Sequence, residues 1–268
     1  MEIIELESWE EFEQAIEEEH QEILKLKKDN PLHFSDLLFR GHANADWKLT
    51  TTLERFCYAK NLPFEWPWKK YHRTLLGILP SVLSLTSHNY KLDQKFELDP
   101  VFPLPPGYDF MIYARHHGFP SPMLDWTRSP YVAAFFAFNS PFLNEKISIF
   151  SFREYFGNAK GYSATMPTIK GLGPYVTAHK RHFLQQCLYT ICHKNDNETQ
   201  VYCSHQDAQF GEDQDRLKKY ILPATEREKV LRKLDFMNIN AFSLFGNEEG
   251  LMDWLAYREI EKRLGEGL

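Results

Sequence analysis

The sequence predicts a single α+β domain with a mixed or antiparallel sheet core flanked by helices. Its 268 residues, 43% hydrophobic and 25% charged, have ordinary globular composition and are numerous enough for a sizeable core. Helical and strand patterns both occur, with strand character prevailing in the second half. No internal repeat, low-complexity tract or flexible linker divides the chain. The expected organisation is one domain over 1–268, in which an acidic helix (1–30) precedes the core (31–222) and a helical part (223–268) follows it.

Each element has its own signal. Ser8 is a helix N-cap with Glu11 completing a capping box, and Trp9, Phe12, Ile16, Ile23 and Leu26 follow at helical spacing until Asn30-Pro31. Leu37 to Arg40 reads as a strand that delivers Arg40 to its end, where Gly41 permits a backbone turn. A second helix starts near Pro67, whose fixed φ suits a first turn, and runs through Tyr71, Leu75, Leu79 and Leu83. From Ser87 to Gly107, Pro100, Pro103, Pro105 and Pro106 and the lack of a clear period predict a surface loop. Phe110, Tyr113, Ala114 and His117 are helically spaced, and Gly118 is an end signal. Met123 to Trp126 reads as a short strand, after which Ser129-Pro130 caps and opens a short buried helix, YVAAFFAF.

Beyond this, Lys146 to Arg153 is a strand and Gly157 to Thr177 a long loop. Further strands are expected at Phe183 to Cys192, Gln200 to Cys203 and Tyr220 to Leu222. Thr225 and Glu228 read as another capping box opening a helix with Val230, Leu231, Leu234 and Met237, and a last helix runs from about Asn247 to Leu264.

The formal charge of −6 is unevenly placed. Residues 1–22 hold ten Glu and no Lys or Arg, so the remainder carries 31 basic against 27 acidic residues, a difference of +4. Such a body suits an anionic small ligand and lacks the strongly basic face of a nucleic-acid binder. Cys57, Cys187, Cys192 and Cys203 form no CxxC pair and no zinc spacing, and there is neither a signal peptide nor an apolar run of membrane-spanning length. The expectation is a soluble, cytoplasmic protein with no membrane partner, in which Cys187 and Cys192 are buried small hydrophobes. Most of the 21 Phe, 13 Tyr and 6 Trp belong to the core, leaving some rings to stack on a flat ligand.

Chemically capable side chains concentrate between Ala114 and Phe138: Arg115, His116, His117, Asp125, Thr127, Arg128 and Ser129. Nucleophilic catalysis by Ser129 lacks the Gly-x-Ser-x-Gly elbow, and the serine is better explained as a helix cap. Adjacent histidines on a helix point about 100° apart and chelate one ion poorly, so no metal is expected. A magnesium-dependent nuclease needs clustered carboxylates where this stretch has one. Two readings stand: Thr127 to Pro130 as an anion or ribose site at a helix N-terminus, with Arg40 clamping a pyrophosphate, or Arg40 and Asp125 as a buried structural ion pair beside hydroxyls that cap the helix.

The segments LFRGHANADWKL (Leu38 to Leu49), ARHHGFPSPMLDWTRSPYVAAFFAF, RHFLQQCLYT (Arg181 to Thr190) and LFGNEEGL (Leu244 to Leu251) together resemble the FRG-domain family, with Phe39-Arg40-Gly41 as its motif. Arg40-Gly41 and Thr127-x-Ser129 are also similar, more distantly, to the first two elements of ADP-ribosyltransferases. That likeness implies an ADP-ribosyltransferase-like fold and NAD as cofactor. The implied contacts come from Arg40, Gly41, Trp126, Thr127 and Ser129, with Arg40, Asp125, Gln186 and His117 as the catalytic candidates. Where the family's catalytic Glu would fall stands Leu184-Gln185-Gln186-Cys187-Leu188, and a Gln supplies neither negative charge nor a base. Asp125 or another carboxylate substitutes, or the domain binds a nucleotide without transferring it. The resemblance also implies a bacterial or phage protein. Its other reading is a non-catalytic binding or scaffold module with a protein partner in phage defence or counter-defence, in which Arg40 pairs with Asp125 and His117 donates a hydrogen bond inside the core.

Overall fold

The computed structural model describes residues 1–97, 104–140, 144–157, 165–173, 180–197, 199–211 and 214–261. Its strands are β1 (Glu2–Glu5), β2 (Leu38–His42), β3 (Trp66–Pro67), β4 (Met123–Thr127), β5 (Lys146–Arg153), β6 (Thr168–Leu172), β7 (Cys187–Asp196), β8 (Thr199–Tyr202) and β9 (Arg216–Pro223). The helices are α1 (Trp9–Asp29), α2 (Thr52–Ala59), α3 (Trp68–Leu85), α4 (Tyr108–His116), α5 (Pro130–Phe138), α6 (Lys180–Leu184), α7 (Arg227–Phe236), α8 (Ala241–Phe245) and α9 (Glu248–Ala256). The strands form one sheet in the order β1-β9-β5-β2-β4-β7-β8-β3, with β6 on the other edge of β7. Among the described strands only β1 and β9 run parallel, so the sheet is mixed and mainly antiparallel, in line with the expected mixed or antiparallel core.

Alternation along the strands divides the core between the two faces of the sheet. Phe39, Ile147 and Ile149 pack with α1, α5 and α7 on one face, while Leu38, Trp126, Phe150 and Phe152 pack together on the other. Helix α5 is apolar all round and buries Val132, Ala133, Ala134, Phe135, Ala137 and Phe138, as a helix enclosed by protein must. Ser129 caps it by accepting from the Val132 N–H at 3.3 Å, and Ser129→Ala is expected to lower unfolding free energy by about 1 kcal/mol in urea titrations. Helix α1 is fixed to the sheet by buried Glu19, which accepts from Ser151 Oγ and Tyr220 Oη at 2.8 Å each.

The structure corrects several sequence expectations. Strand β2 continues through Gly41 to His42, so Arg40 stands within the strand and Gly41 makes no turn. What excludes a side chain at Gly41 is α5: a Cβ there would lie far inside contact with the Ala133 carbonyl and 2.8 Å from the Ala137 nitrogen. Helix α3 does start beside Pro67, as expected, but Pro67 itself is its N-cap and ends the short β3 instead of lying in the first turn. The strand expected from Phe183 begins only at Cys187, because α6 and a left-handed Gln186 (φ 50°) precede it. Within the loop expected from Gly157 to Thr177, Thr168–Leu172 forms β6; residues 158–164 and 174–177 lie outside the described residues. Thr225 caps nothing, since it sits inside a 3₁₀ turn (Ala224–Glu226) and Glu226 is the residue before α7. The last helix ends at Ala256 and passes into a wider turn over Tyr257–Glu261, beyond which 262–264 are not described. Helix α2 and strand β1 were not anticipated.

Candidate ligand-binding site

Strands β2 and β4 share a single register position, Phe39 opposite Thr127, whereas β2 is paired along all five residues with β5, and β4 along all five with β7. Past that position the two strands separate, and a cavity of about 640 Å³ opens at the gap. Arg40 spans it: its Nη1 donates to the Asp125 carbonyl at 2.6 Å and also to the Asp125 carboxylate, while its Nε donates to His42 Nε2 at 3.1 Å. Arg115, from α4, donates to the same carboxylate oxygen and, at 3.3 Å, to Thr52 Oγ1.

Two guanidiniums on one carboxylate set the electrostatics. Burial alone would raise the Asp125 carboxyl, but the charges of Arg115 and then Arg40 outweigh it and hold Asp125 far below the usual carboxylate range. Although the protein surrounds it, the Asp125 side chain is 34% exposed, because it opens onto the cavity; Arg40 is 16% exposed and Arg115 8%. Burial and then the Arg40 charge push His42 down to about 3, so it is neutral at pH 7, as an acceptor from Arg40 must be. Cys187 also lines the wall, and burial, followed by the Asp125 charge, pushes its thiol up to about 12, which removes it as a nucleophile.

The wall brings together Arg40, Gly41, Asp125, Trp126 and Thr127 from the sequence-derived set. Trp126 is 2% exposed and donates its indole N–H to Thr190 Oγ1 at 2.8 Å, so it holds the wall more than it presents a ring. Ser129, His117 and Gln186 do not line the cavity. Thr127 Oγ1 accepts from the Ser129 N–H at 3.1 Å and Ser129 Oγ from the Val132 N–H, so these donors of the helix end expected to meet an anion are engaged, and of Thr127 to Pro130 only Thr127 lines the cavity. His117 is exposed at the end of α4, outside the core, its ring centre 4.4 Å from that of Tyr113. Its neighbours on each chain segment take the inward places: His116 faces the cavity and meets Tyr189 Oη at 2.8 Å, and Gln185 rather than Gln186 reaches the wall. Sequence reasoning missed Lys48, Arg55 and Arg181, which add positive charge, and Phe136 and Phe245, which add rings. A legible signal existed for one of them, since Thr51 and Glu54 form a capping box that starts α2 and places Arg55 in its first turns.

A family model described as the FRG domain matches residues 35–146, and the chain carries an FRG domain there. That segment contains Phe39-Arg40-Gly41, α2 and the strand bearing Asp125, whereas Arg181, Gln185, Cys187 and Phe245 complete the wall from beyond it. Neither a curated protein nor a solved structure matches the chain. Among the described residues, no helix is long and apolar enough to cross a membrane.

Proposed function

We propose that the cavity binds an anionic nucleotide, NAD or a relative of it. The observation that carries this reading is the charge of the wall. Arg40, Lys48, Arg55, Arg115 and Arg181 line it, and Asp125 is the one carboxylate among the described lining residues. Five cations against one anion, in a concave site with protein behind them, attract phosphate. Phe136 and Phe245 supply flat apolar surface, with the Arg181 guanidinium 5.5 Å from the Phe245 ring centre, where a base or a nicotinamide can stack. Thr127 accepts one hydrogen bond and keeps its own proton for a ribose oxygen. The likeness of Arg40-Gly41 and Thr127 to ADP-ribosyltransferase elements agrees with a ligand of this kind.

The same geometry argues for binding over transfer. Cleaving a glycosidic bond with an oxocarbenium-like transition state calls for negative charge facing the ribose. The Asp125 charge is already compensated by two guanidiniums, and its depressed pKa makes it a poor base. His117 and Gln186 stand outside the cavity. Calorimetric titration of NAD and of ADP-ribose should give saturable binding that weakens as salt is raised, with NAD recovered intact by mass spectrometry. Absence of binding by both would sink the reading, and release of nicotinamide would turn the site into an enzyme. A scaffold module in phage defence or counter-defence is the second reading, favoured by the tie of Arg40 to Asp125 and His42; it differs in requiring no nucleotide affinity.

A further inference from the structure

Resting on the nucleotide reading, we infer that the phosphates are held by Arg55 and Lys48, on α2 and the segment leading to it, and not by the motif residue Arg40, and that the site selects a diphosphate-bearing nucleotide. Arg40 gives Nε to His42 and Nη1 to both oxygens of Asp125, carbonyl and carboxylate; Arg115 gives Nη2 to the same carboxylate and Nη1 to Thr52. Both guanidiniums are therefore held in place by Asp125, for which a phosphate would have to compete; of their nitrogens, only Nη2 of Arg40 and the buried Nε of Arg115 make no hydrogen bond among the described residues.

Arg55 is different. Its one protein hydrogen bond among the described residues runs from Nη1 to the Thr50 carbonyl at 2.7 Å, and no described carboxylate pairs with it. It is reachable from solvent at the cavity wall, yet burial and then the charges of Arg40 and Arg115 lower its pKa, so three guanidiniums crowd one another there. Arg40, Arg55 and Arg115 against Asp125 leave two positive charges, and Lys48, with no described carboxylate partner, adds a third on the same wall. A diphosphate matches that charge and relieves the crowding; a monophosphate leaves part of it, and an uncharged nucleoside leaves all of it. Thr50, on the same wall, offers a hydroxyl to a phosphate oxygen. The rings of Phe136 and Phe245, carried by α5 and α8, then face the base.

The test is calorimetric titration of ADP, AMP and adenosine into the full chain and into the Arg55→Ala and Lys48→Ala variants. ADP is expected to bind more tightly than AMP. Arg55→Ala should weaken ADP at least ~10-fold, the worth of a charge-assisted phosphate contact, and Lys48→Ala should weaken it less, while adenosine affinity changes no more than about twofold. Arg55→Lys should recover part of the loss. Because Arg55 makes one protein hydrogen bond among the described residues, the variant should melt within a few degrees of the parent; Lys48, on an exposed position, keeps the test open if it does not. If the unmutated chain binds ADP and both alanine variants bind it equally well, this assignment is overturned and the nucleotide reading survives. If the unmutated chain binds neither ADP nor NAD, both fall together.

Discussion

Gly41→Ala is expected to abolish the stable fold. The α5 backbone lies directly on β2 at this position, and the new Cβ would overlap the Ala133 carbonyl and approach the Ala137 nitrogen at 2.8 Å. Neither obstacle is the flexible end of a side chain. Helix α5 would have to lift away, taking Ala133, Ala134, Ala137 and Phe138 out of a core shared with α1 and α7. Overpacking against a rigid backbone belongs at or beyond the upper end of the usual range of roughly 1–3 kcal/mol, a large part of the roughly 5–15 kcal/mol that keeps a domain folded. Circular dichroism should show a melting transition that is lost or lowered by more than about 10 °C, following the usual conversion of free energy into melting temperature. A variant melting within a few degrees of the parent would mean that α5 can yield, contrary to this account. The glycine of the Phe-Arg-Gly motif is thus explained by helix-on-strand contact and requires no ligand.

Asp125→Asn should be the next most damaging change. It keeps the shape of the side chain but leaves Arg40 and Arg115, both largely buried, without their counter-charge. Breaking a buried pair on one side costs roughly 3–5 kcal/mol; because Asp125 opens onto the cavity and water screens it in part, about 2–3 kcal/mol is expected. The pH dependence follows from the depressed carboxyl. Its folded pKa lies below the unfolded value of about 3.9, so its contribution is complete above that value and is lost as pH falls through the acid range toward the folded value. Urea titrations should therefore show a parent-minus-variant difference that is flat from neutrality to about pH 5 and shrinks below about pH 4. A difference that stays constant down to acid pH would remove Asp125 as the charge that holds the two arginines.

Much of the frame was legible because its signals are local. Ser8 and Ser129 announce their helices through capping, and Lys146 to Arg153 reads as a strand and is one, residue for residue. What escaped depends on partners distant in sequence. Strand β1 exists through parallel pairing with β9 more than two hundred residues on, and β6 through pairing with β7 inside a stretch whose Gly and Pro read as loop. The pairing of Arg40 with Asp125 was one of two readings open from the sequence, but the second arginine on that carboxylate was not foreseen. At the wall, a one-residue displacement twice decides which side chain faces in. His116 rather than His117 points inward because neighbours on a helix diverge, and Gln185 rather than Gln186 because the left-handed backbone at Gln186 turns the chain before β7. Arg55 was passed over because α2 is short and its Thr51–Glu54 box lies in a segment with little apolar period.

The central claim is that the gap between β2 and β4 is a nucleotide site. It is tested most directly by a crystal structure of the protein grown with ADP-ribose. The account predicts the ligand in that cavity, its phosphates against Arg55 and Lys48, with Asp125 still bonded to Arg40 and Arg115. A ligand bound elsewhere, or a cavity still empty at ligand concentrations that saturate the protein in solution, would contradict it.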